Sequence, residues 1–288
     1  MKNQRILETE AQNAVTGREE KRIGIEIEFF GVQYGLVVSE LSRAGLNVVW
    51  ESYTHRTSNH WKLVYDASVT GEGTGVGRGL ELVSPPLTID EMDEQLEIAL
   101  RVLNEIGAKV DRTCGVHVHH EIDDLNLDQI KNIFALYKKH EEHIDEMMPP
   151  SRKNGRYCQV LTDGDISRVK DTESIEGIMN ALGTRYKKIN FMCYLKYGTI
   201  EFRQHSGSID FTKLINWVRI TQALVSAAKN RKRPVKELTE AQKKRATEAF
   251  TKDLKIEYTV QAIYSRDRKK ELKAAARKRE MMRQASAC

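Results

Sequence analysis

The stretch "CGVHVHH" (114–120) places three histidines within four positions, in a chain that contains eight histidines. Its two valines predict a β-strand, because β-branched residues suit a pleated, half-buried surface. Residues two apart on a strand point to the same face, so His117 and His119 share one face, and His120 lies with the valines on the other. Two imidazoles on one strand face bind a metal ion or position a substrate, or they are the solvated side of an antiparallel sheet.

Three further segments set charged side chains on one face of a predicted strand and apolar side chains on the other. They are "GIEIEF" with Glu26 and Glu28, "GLELVSPP" with Glu81, and "TIEFRQH" with Glu201, Arg203 and His205. Two carboxylates on one face repel each other unless a cation lies between them. Any one of these strands alone is typical of a solvated sheet face, so the argument rests on their joint pattern.

The joint pattern favours a site for a divalent cation. It combines oxygen ligands with one imidazole, in the residues Glu26, Glu28, Glu81, His117 and Glu201. Hard oxygen ligands suit Mg²⁺ or Mn²⁺ better than zinc. Arg203 adds a planar, permanently charged group for phosphate, and these are the components of phosphoryl transfer from ATP. The glycine-rich segment lacks the GxxxxGK[ST] spacing, which argues against a P-loop enzyme.

Strands and helices are mixed along the chain without regular βαβ alternation, which predicts an α+β fold with a largely antiparallel sheet. Asp90 is the predicted N-cap of the first long helix and Gly107 its predicted stop. The predicted helices span 88–110, 126–148, 174–183 and 211–229, and the predicted strands include 22–32, 61–68, 80–87 and a pair around the turn 196–198. A glycine-rich loop is predicted at 69–79.

Composition is typical of an ordinary globular protein. The 288 residues are 40% hydrophobic, and no apolar run reaches the length of a membrane span. The charged first residues lack the apolar centre of a signal peptide. The four cysteines are scattered with no CxxC, as in proteins that keep their thiols reduced. We therefore expect a cytoplasmic protein with no membrane partner.

Charge divides the chain unevenly. From Lys229 to the end there are 19 Lys and Arg against 8 Asp and Glu, whereas the preceding part is net acidic. We predict a lead-in (1–20), a main domain (21–230) and a basic helical C-terminal tail (231–288). A basic tail can bind nucleic acid or another anionic partner, or it is simply a solvated helix.

The sequence resembles the amidoligases, distant relatives of glutamine synthetase and glutamate–cysteine ligase. The matching motifs follow the family's order: "GIEIEF" (24–29), "YDAS" (65–68), "LELVSPPL" (80–87), "CGVHVHH" (114–120), "RKNGRYC" (152–158), "RYKKIN" (185–190) and "TIEFRQHSGSID" (199–210). The fourth and the last of these motifs are the most specific. The resemblance covers residues 22–225, and the basic tail lies outside it.

The resemblance implies both a fold and a reaction. The fold is a curved, largely antiparallel sheet that forms a glutamine synthetase-like catalytic funnel, with helices packed outside. In the reaction, ATP phosphorylates a carboxylate and an amine attacks the acyl phosphate, which yields an amide, ADP and phosphate. The implied cofactors are ATP and Mg²⁺ or Mn²⁺, and the partners are a carboxylate and an amine on small molecules or peptides.

The resemblance also implies metal ligands. Glu28 and Glu81 hold one Mg²⁺, whereas Glu26, His117 and Glu201 hold the metal that bridges the γ-phosphate.

Other residues carry catalytic and binding roles by the same resemblance. Arg203 clamps the phosphate and stabilises its transfer, and His119 faces the acyl group. Four further residues line the nucleotide or substrate pocket, namely Arg152, Tyr157, Arg185 and Asn190.

Some residues stay ambiguous at this level. Asp66 either ligates a metal, binds the incoming amine, or ends a strand as a turn residue. Thr199 stands where glutamine synthetase has an arginine near its active site, so one cation is missing or supplied elsewhere. Trp61 and Trp217 are expected in the core, and Cys114 is expected to be structural.

Two other function classes remain open. A metal-dependent hydrolase or transferase uses the same cluster without a nucleotide, although it has no need for Arg203. A nucleic-acid-binding protein acts through the tail, although the tail has few aromatic residues for stacking on bases. The sequence identifies neither the substrates nor the oligomeric state.

Overall fold

The computed structural model describes residues 21–52, 56–71 and 79–256, together with residues 264, 268, 270, 272–274, 276–278 and 280–284. The predicted lead-in (1–20) and most of the predicted glycine-rich loop lie outside the described residues.

Within these residues, seven strands form one sheet. They are β1 (Ile23–Phe29), β2 (Val48–Trp50), β3 (Trp61–Tyr65), β4 (Leu80–Val83), β5 (Gly115–Glu121), β6 (Ile189–Asn190) and β7 (Thr199–Ser206). The order across the sheet is β2-β3-β4-β1-β5-β7-β6, and every neighbouring pair is antiparallel except β2 and β3. The predicted α+β class with a largely antiparallel sheet is confirmed.

Helices connect the strands and supply the core. They are α1 (Tyr34–Arg43), α2 (Ile89–Glu105), α3 (Leu127–Glu146), α4 (Asp163–Asp171), α5 (Ile175–Leu182), α6 (Tyr194–Tyr197), α7 (Phe211–Lys229), α8 (Glu240–Lys244) and α9 (Ala246–Leu254). A short 3₁₀ turn spans Pro150–Arg152. Helix α7 packs against α2, α3 and β5.

The apolar side chains of each strand are buried on one side of the sheet, as the period-2 pattern predicts. Ile25 and Ile27 of β1 and Val116 and Val118 of β5 are completely or almost completely buried. Burial of such a side chain stabilises the fold by about 1.5–3 kcal/mol. Helices α3 and α7 lie over this side, so the charged side chains of the same strands are left on the opposite side, hereafter the polar face. Trp61 and Trp217 are fully buried in this core, as expected.

The start of α2 differs from the prediction. Thr88, not Asp90, is the N-cap: its hydroxyl accepts a hydrogen bond from the Glu91 amide, and the Glu91 carboxylate accepts one from the Thr88 amide. This reciprocal arrangement satisfies two amides at the helix start, so Asp90 falls inside the first turn. Gly107 follows the C-cap with φ +79°, so the predicted stop is confirmed.

The predicted turn at 196–198 is also corrected. A single helical turn, α6, precedes β7, and Gly198 ends it with φ +65°. A side chain at this position would be strained, because the left-handed region suits glycine.

A β-bulge changes the facing of one predicted polar residue. The register between β5 and β7 shifts between Val116 and Val118, so two steps along β5 match three steps along β7. The extra residue turns the following side chains to the other face. His205 is therefore fully buried on the helix side against Trp217, with ring centroids 5.6 Å apart. The prediction that His205 lies on the polar face is wrong.

His205 makes the stability of the fold depend on pH. Burial, helped by the charges of Arg268, Arg152 and Lys213, lowers the pKa of His205 to about 3. Between about pH 6.5 and pH 3 the unfolded chain binds this proton and the folded chain does not, so the free energy of unfolding falls as the pH falls. Between pH 6.5 and pH 4.5 we expect the free energy of unfolding to fall by about 2 kcal/mol less in His205→Asn than in wild type. Urea unfolding at both pH values measures this difference, and parallel losses in the two proteins would contradict it.

Part of the predicted tail packs against the main domain. Helix α9 contacts α3 and α7, where Phe250 is fully buried and Asp253 accepts hydrogen bonds from His140 (2.9 Å) and Lys139 (2.7 Å). Arg268 donates to the Met147 carbonyl oxygen at 3.1 Å. Among the helices of the described ranges, none has the length and apolar character needed to cross a membrane.

Candidate active site

The polar face collects charged side chains from four adjacent strands. Three pairs of them lie directly opposite each other in the sheet register, namely Glu28 with Glu81, Glu26 with His117, and His119 with Glu201. Directly opposed residues have Cβ atoms about 5 Å apart, so the six side chains form one cluster. The structure thus brings together all five predicted metal-binding residues and His119.

His117 lies at the centre of this cluster. Its Nδ1 is 3.0 Å from a Glu26 carboxylate oxygen and 3.5 Å from a Glu201 oxygen, and its Nε2 is 3.6 Å from Glu28. His119 Nε2 is 3.4 Å from the other Glu26 oxygen. Glu26 therefore lies between the two imidazoles, and one imidazole contacts three carboxylates.

Three overlapping groups have ligand atoms within 4.8 Å of one another, the spacing that one metal ion needs. The groups are Glu28, Asp66 and Glu81; Glu26, Glu81 and His117; and Glu26, His119 and Glu201. Asp66 therefore joins the cluster, although its Oδ1 also accepts hydrogen bonds from the amide and hydroxyl of Ser68, as in a turn. The turn role expected for Asp66 is therefore observed, and its place beside Glu28 and Glu81 is compatible with a metal-binding role.

The crowding of carboxylates shifts their protonation. Burial, together with the charges of Glu26, Glu28 and Asp66, raises the pKa of Glu81 well above its usual range. Burial acts in the same direction on Glu26, but hydrogen bonds from His117 and His119 outweigh it and lower the pKa of that carboxyl well below its usual range. The pKa values of these two neighbouring carboxyls are therefore shifted in opposite directions.

This donor set fits a divalent cation. Buried carboxylates that repel each other need positive charge between them, and oxygen ligands with one or two imidazoles match the preferences of Mg²⁺ or Mn²⁺. A cation near Glu81 would offset the repulsion between its carboxylate and those of Glu26, Glu28 and Asp66.

A cavity of about 780 Å³ opens at one end of the cluster. Four members of the cluster line it, namely Glu26, Glu28, Glu81 and His117. Five arginines also line this cavity, namely Arg112, Arg152, Arg156, Arg185 and Arg203. This larger cavity is of the size that binds cofactors, and its arginines suit phosphate groups.

Two of these arginines are fixed by short contacts. Arg203 forms an ion pair with Glu201 on the same strand. Burial alone would raise the pKa of Glu201, but the charge of Arg203, with those of His119 and His117, outweighs it, so that pKa is lowered. Arg152 is buried and donates to the Cys114 carbonyl oxygen. A Cβ at Gly115 would lie 2.9 Å from the Arg152 guanidinium, so the glycine makes room for it.

The remaining predicted pocket residues divide between two locations. Arg185 and Tyr157 line the larger cavity, and the ring of Tyr157 lies 5.4 Å from that of Tyr186. Asn190 instead lies behind the cluster, where its amide donates to Glu201 at 2.6 Å and its oxygen accepts from the Met192 amide. Asn190 therefore orients a carboxylate and is not among the residues that line this cavity or the smaller one described next.

A smaller cavity of about 210 Å³ lies at the other end of the cluster. It shares Glu26 and Glu81 with the larger cavity. Its other lining residues include Lys62, His119, Tyr197 and Thr199. The residues of β1 before Glu26 line the smaller cavity, whereas Glu28, which follows Glu26, lines the larger one. The two cavities therefore approach the same carboxylates from opposite ends.

His119 connects this smaller cavity to the cluster. Its Nδ1 is 3.2 Å from the Thr199 hydroxyl, whereas its buried Nε2 faces the Glu26 carboxylate at 3.4 Å. Burial lowers the pKa of His119, but contacts with Cys193, Glu26 and Glu201 outweigh it and raise that pKa well above its usual range. Thr199 therefore orients an imidazole at the position where the resemblance led us to look for a cation.

Cys114 is not positioned as a nucleophile. It is fully buried, and burial raises the pKa of its thiol to about 12. The thiolate needed for attack is therefore scarce, which agrees with the structural role expected for it.

Several residues that line the two cavities were not predicted from the sequence. Lys62 has a recognisable signal, because it is a charged residue between Trp61 and Leu63 in an alternating strand. Arg112 and Arg156 had no such signal, since they lie in connections outside the regular elements.

A comparison with protein families identifies the class. The model of the family described as "Putative amidoligase enzyme" matches residues 19–225, which is most of the chain. The protein therefore belongs to the amidoligase family, a class of ligases that form amide bonds. A comparison with curated proteins found no match.

Proposed function

We propose that the protein is an ATP- and Mg²⁺-dependent ligase that joins a carboxylate to an amine through an acyl phosphate. The observation that carries the proposal is the cluster of buried carboxylates shared by two cavities, one of which is lined by five arginines. Such a cluster neutralises and positions a polyphosphate when it holds divalent cations. A shared cluster between two cavities is also what a glutamine synthetase-like funnel requires.

The arrangement supports a division of labour between the two cavities. ATP occupies the larger cavity with its γ-phosphate towards Glu26 and Glu81, and the carboxylate substrate reaches the same point from the smaller cavity. The carboxylates and His117 would hold Mg²⁺, which would neutralise the charge of the phosphates. Arg203 contacts the transferred phosphoryl group, where a planar guanidinium stabilises the charge that develops during transfer.

The chemistry proceeds in two balanced steps. A substrate carboxylate oxygen attacks the γ-phosphorus, the bond to the bridging oxygen breaks, and ADP leaves. The amine nitrogen then attacks the acyl carbon, phosphate leaves with the bonding pair, and the nitrogen loses a proton. We assign contact with the acyl group to His119, because it lines the smaller cavity and lies beside Glu26.

Calorimetric titration with a non-hydrolysable ATP analogue tests this proposal. We expect wild type to bind the analogue in the presence of Mg²⁺ and to bind it at least tenfold more weakly without the metal. Glu201→Gln removes one carboxylate charge from the cluster without changing its shape, so we expect it to weaken Mg²⁺-dependent binding about tenfold or more.

A matched carboxylate outside the site serves as the control. Glu105 is exposed at the end of α2 and pairs with Arg101, so Glu105→Gln is expected to bind the analogue like wild type. Absence of binding to wild type at millimolar analogue would rule out the proposed function. Equal binding by wild type and Glu201→Gln would remove Glu201 from the site.

A further inference from the structure

Lys62 is a buried ammonium group in the smaller cavity. It lies on β3 with 7% of its surface exposed, and its Nζ donates to the Arg56 carbonyl oxygen at 2.6 Å. That partner is neutral, and Lys62 forms no ion pair with any residue that the structure describes. A buried charge without an opposite charge is unfavourable, so an anion bound in the cavity would complement Lys62.

The other cations near the smaller cavity are differently placed. Arg22 forms an ion pair with Glu91 at 2.8 Å, and Arg56 is exposed. Among the lysines and arginines that line the smaller cavity, Lys62 is thus the one that combines burial with the absence of a described anionic partner.

The sheet register fixes where this anion lies relative to the reacting groups. Lys62 is opposite Val83 on β4, and Val83 is opposite Glu26 on β1. Neighbouring strands are about 4.8 Å apart, so the backbone of Lys62 is about 10 Å from that of Glu26. A lysine side chain covers part of this gap, and a small molecule covers the rest.

From these contacts we propose that the acyl substrate is a short dicarboxylic acid, held by Lys62 through the carboxylate that does not react. Its other carboxylate lies beside Glu26 and His119, where phosphorylation takes place. The cavity volume of about 210 Å³ suits a molecule of this size. The inference rests on the proposed function, and it adds the substrate class to it.

A matched pair of acids tests the inference. Glutarate and pentanoate have the same carbon chain and differ in the second carboxylate. In calorimetric titrations with Mg²⁺ and the ATP analogue present, we expect wild type to bind glutarate at least tenfold more tightly than pentanoate. Lys62→Met keeps the length of the side chain and removes the charge, so we expect it to bind the two acids equally.

Two further measurements separate a binding role from a structural one. Without ligands, we expect the thermal unfolding midpoint of Lys62→Met to equal or exceed that of wild type, because an uncompensated buried charge is removed. Lys170 is exposed on α4, and Lys170→Met is expected to keep the full preference for glutarate.

The outcomes are distinct for the inference and for the proposed function. Any one of three results would overturn the inference: wild type fails to bind glutarate, wild type binds both acids equally, or Lys62→Met keeps the preference for glutarate. Binding of the ATP analogue does not depend on Lys62, so the proposed function stands or falls on that separate titration. Glutarate binding is also measured without the analogue, so the inference about Lys62 is tested even if the analogue does not bind.

Discussion

Arg203→Ala is expected to lower the rate of ADP formation from ATP by about 10²- to 10³-fold, the usual cost of losing one group that stabilises transition-state charge. The guanidinium is largely buried beside Glu201 and lines the larger cavity together with the carboxylate cluster. Its charge therefore acts in surroundings of low polarity, where it is stronger than in water. Arg203→Lys keeps the charge and loses the planar fork, so we expect it to recover only part of the rate.

The loss must come from the chemistry and not from unfolding. Circular dichroism and the thermal midpoint of Arg203→Ala are compared with wild type for this purpose. Arg101 is exposed on α2 and pairs with Glu105, so Arg101→Ala is the matched control and is expected to keep the wild-type rate. A rate for folded Arg203→Ala within threefold of wild type would show that the site has been assigned to the wrong residues.

The largest effect on stability is expected at Lys188. Its side chain is completely buried on the helix side of the sheet, with Nζ 2.9 Å from Glu141 and 2.6 Å from Asp145. Lys188→Met removes the buried cation that both carboxylates share, although Glu141 keeps Lys138 at 3.1 Å. We therefore expect the free energy of unfolding to fall by about 3 kcal/mol. Urea unfolding at neutral pH measures this change.

The same residue also connects the core to the site. The Lys188 carbonyl oxygen accepts the Arg203 amide at 2.8 Å, so distortion around Lys188 is transmitted to the strand that carries Arg203. Lys252 is exposed on α9, and Lys252→Met is expected to change the free energy of unfolding by less than about 0.5 kcal/mol. A loss below about 1 kcal/mol in Lys188→Met would contradict the argument that this ion pair is essential to the fold.

Wherever a strand is regular, the sequence predicted which of its side chains lie on the polar face. Glu26 and Glu28 on β1, and His117 and His119 on β5, lie two apart, and an uninterrupted strand keeps such residues on one face. The family motifs then identified which strands belong together. His205 shows the limit of this reasoning, because the bulge in β7 arises from pairing with β5 and leaves no mark in the local alternation.

Residues outside regular strands were the least predictable part of the site. Asp66 just follows β3, and Arg112 and Arg156 lie in connections, so no periodicity indicates where their side chains point. Asn190 was expected in a binding pocket because it occupies a family position, yet its contacts are with Glu201. Contacts of this kind depend on which segments pack together, and spacing within one segment does not contain that information.

By itself, then, the sequence determined the α+β class, the facing of the regular strands and the residue types of the charged cluster, because these depend on local spacing and composition. The tertiary structure alone decided that Asp66 joins the cluster and that two cavities share Glu26 and Glu81. It also decided that Lys62 is buried without a described anionic partner. Those properties arise from strand order and register, which bring residues distant in the chain within a few ångströms of each other.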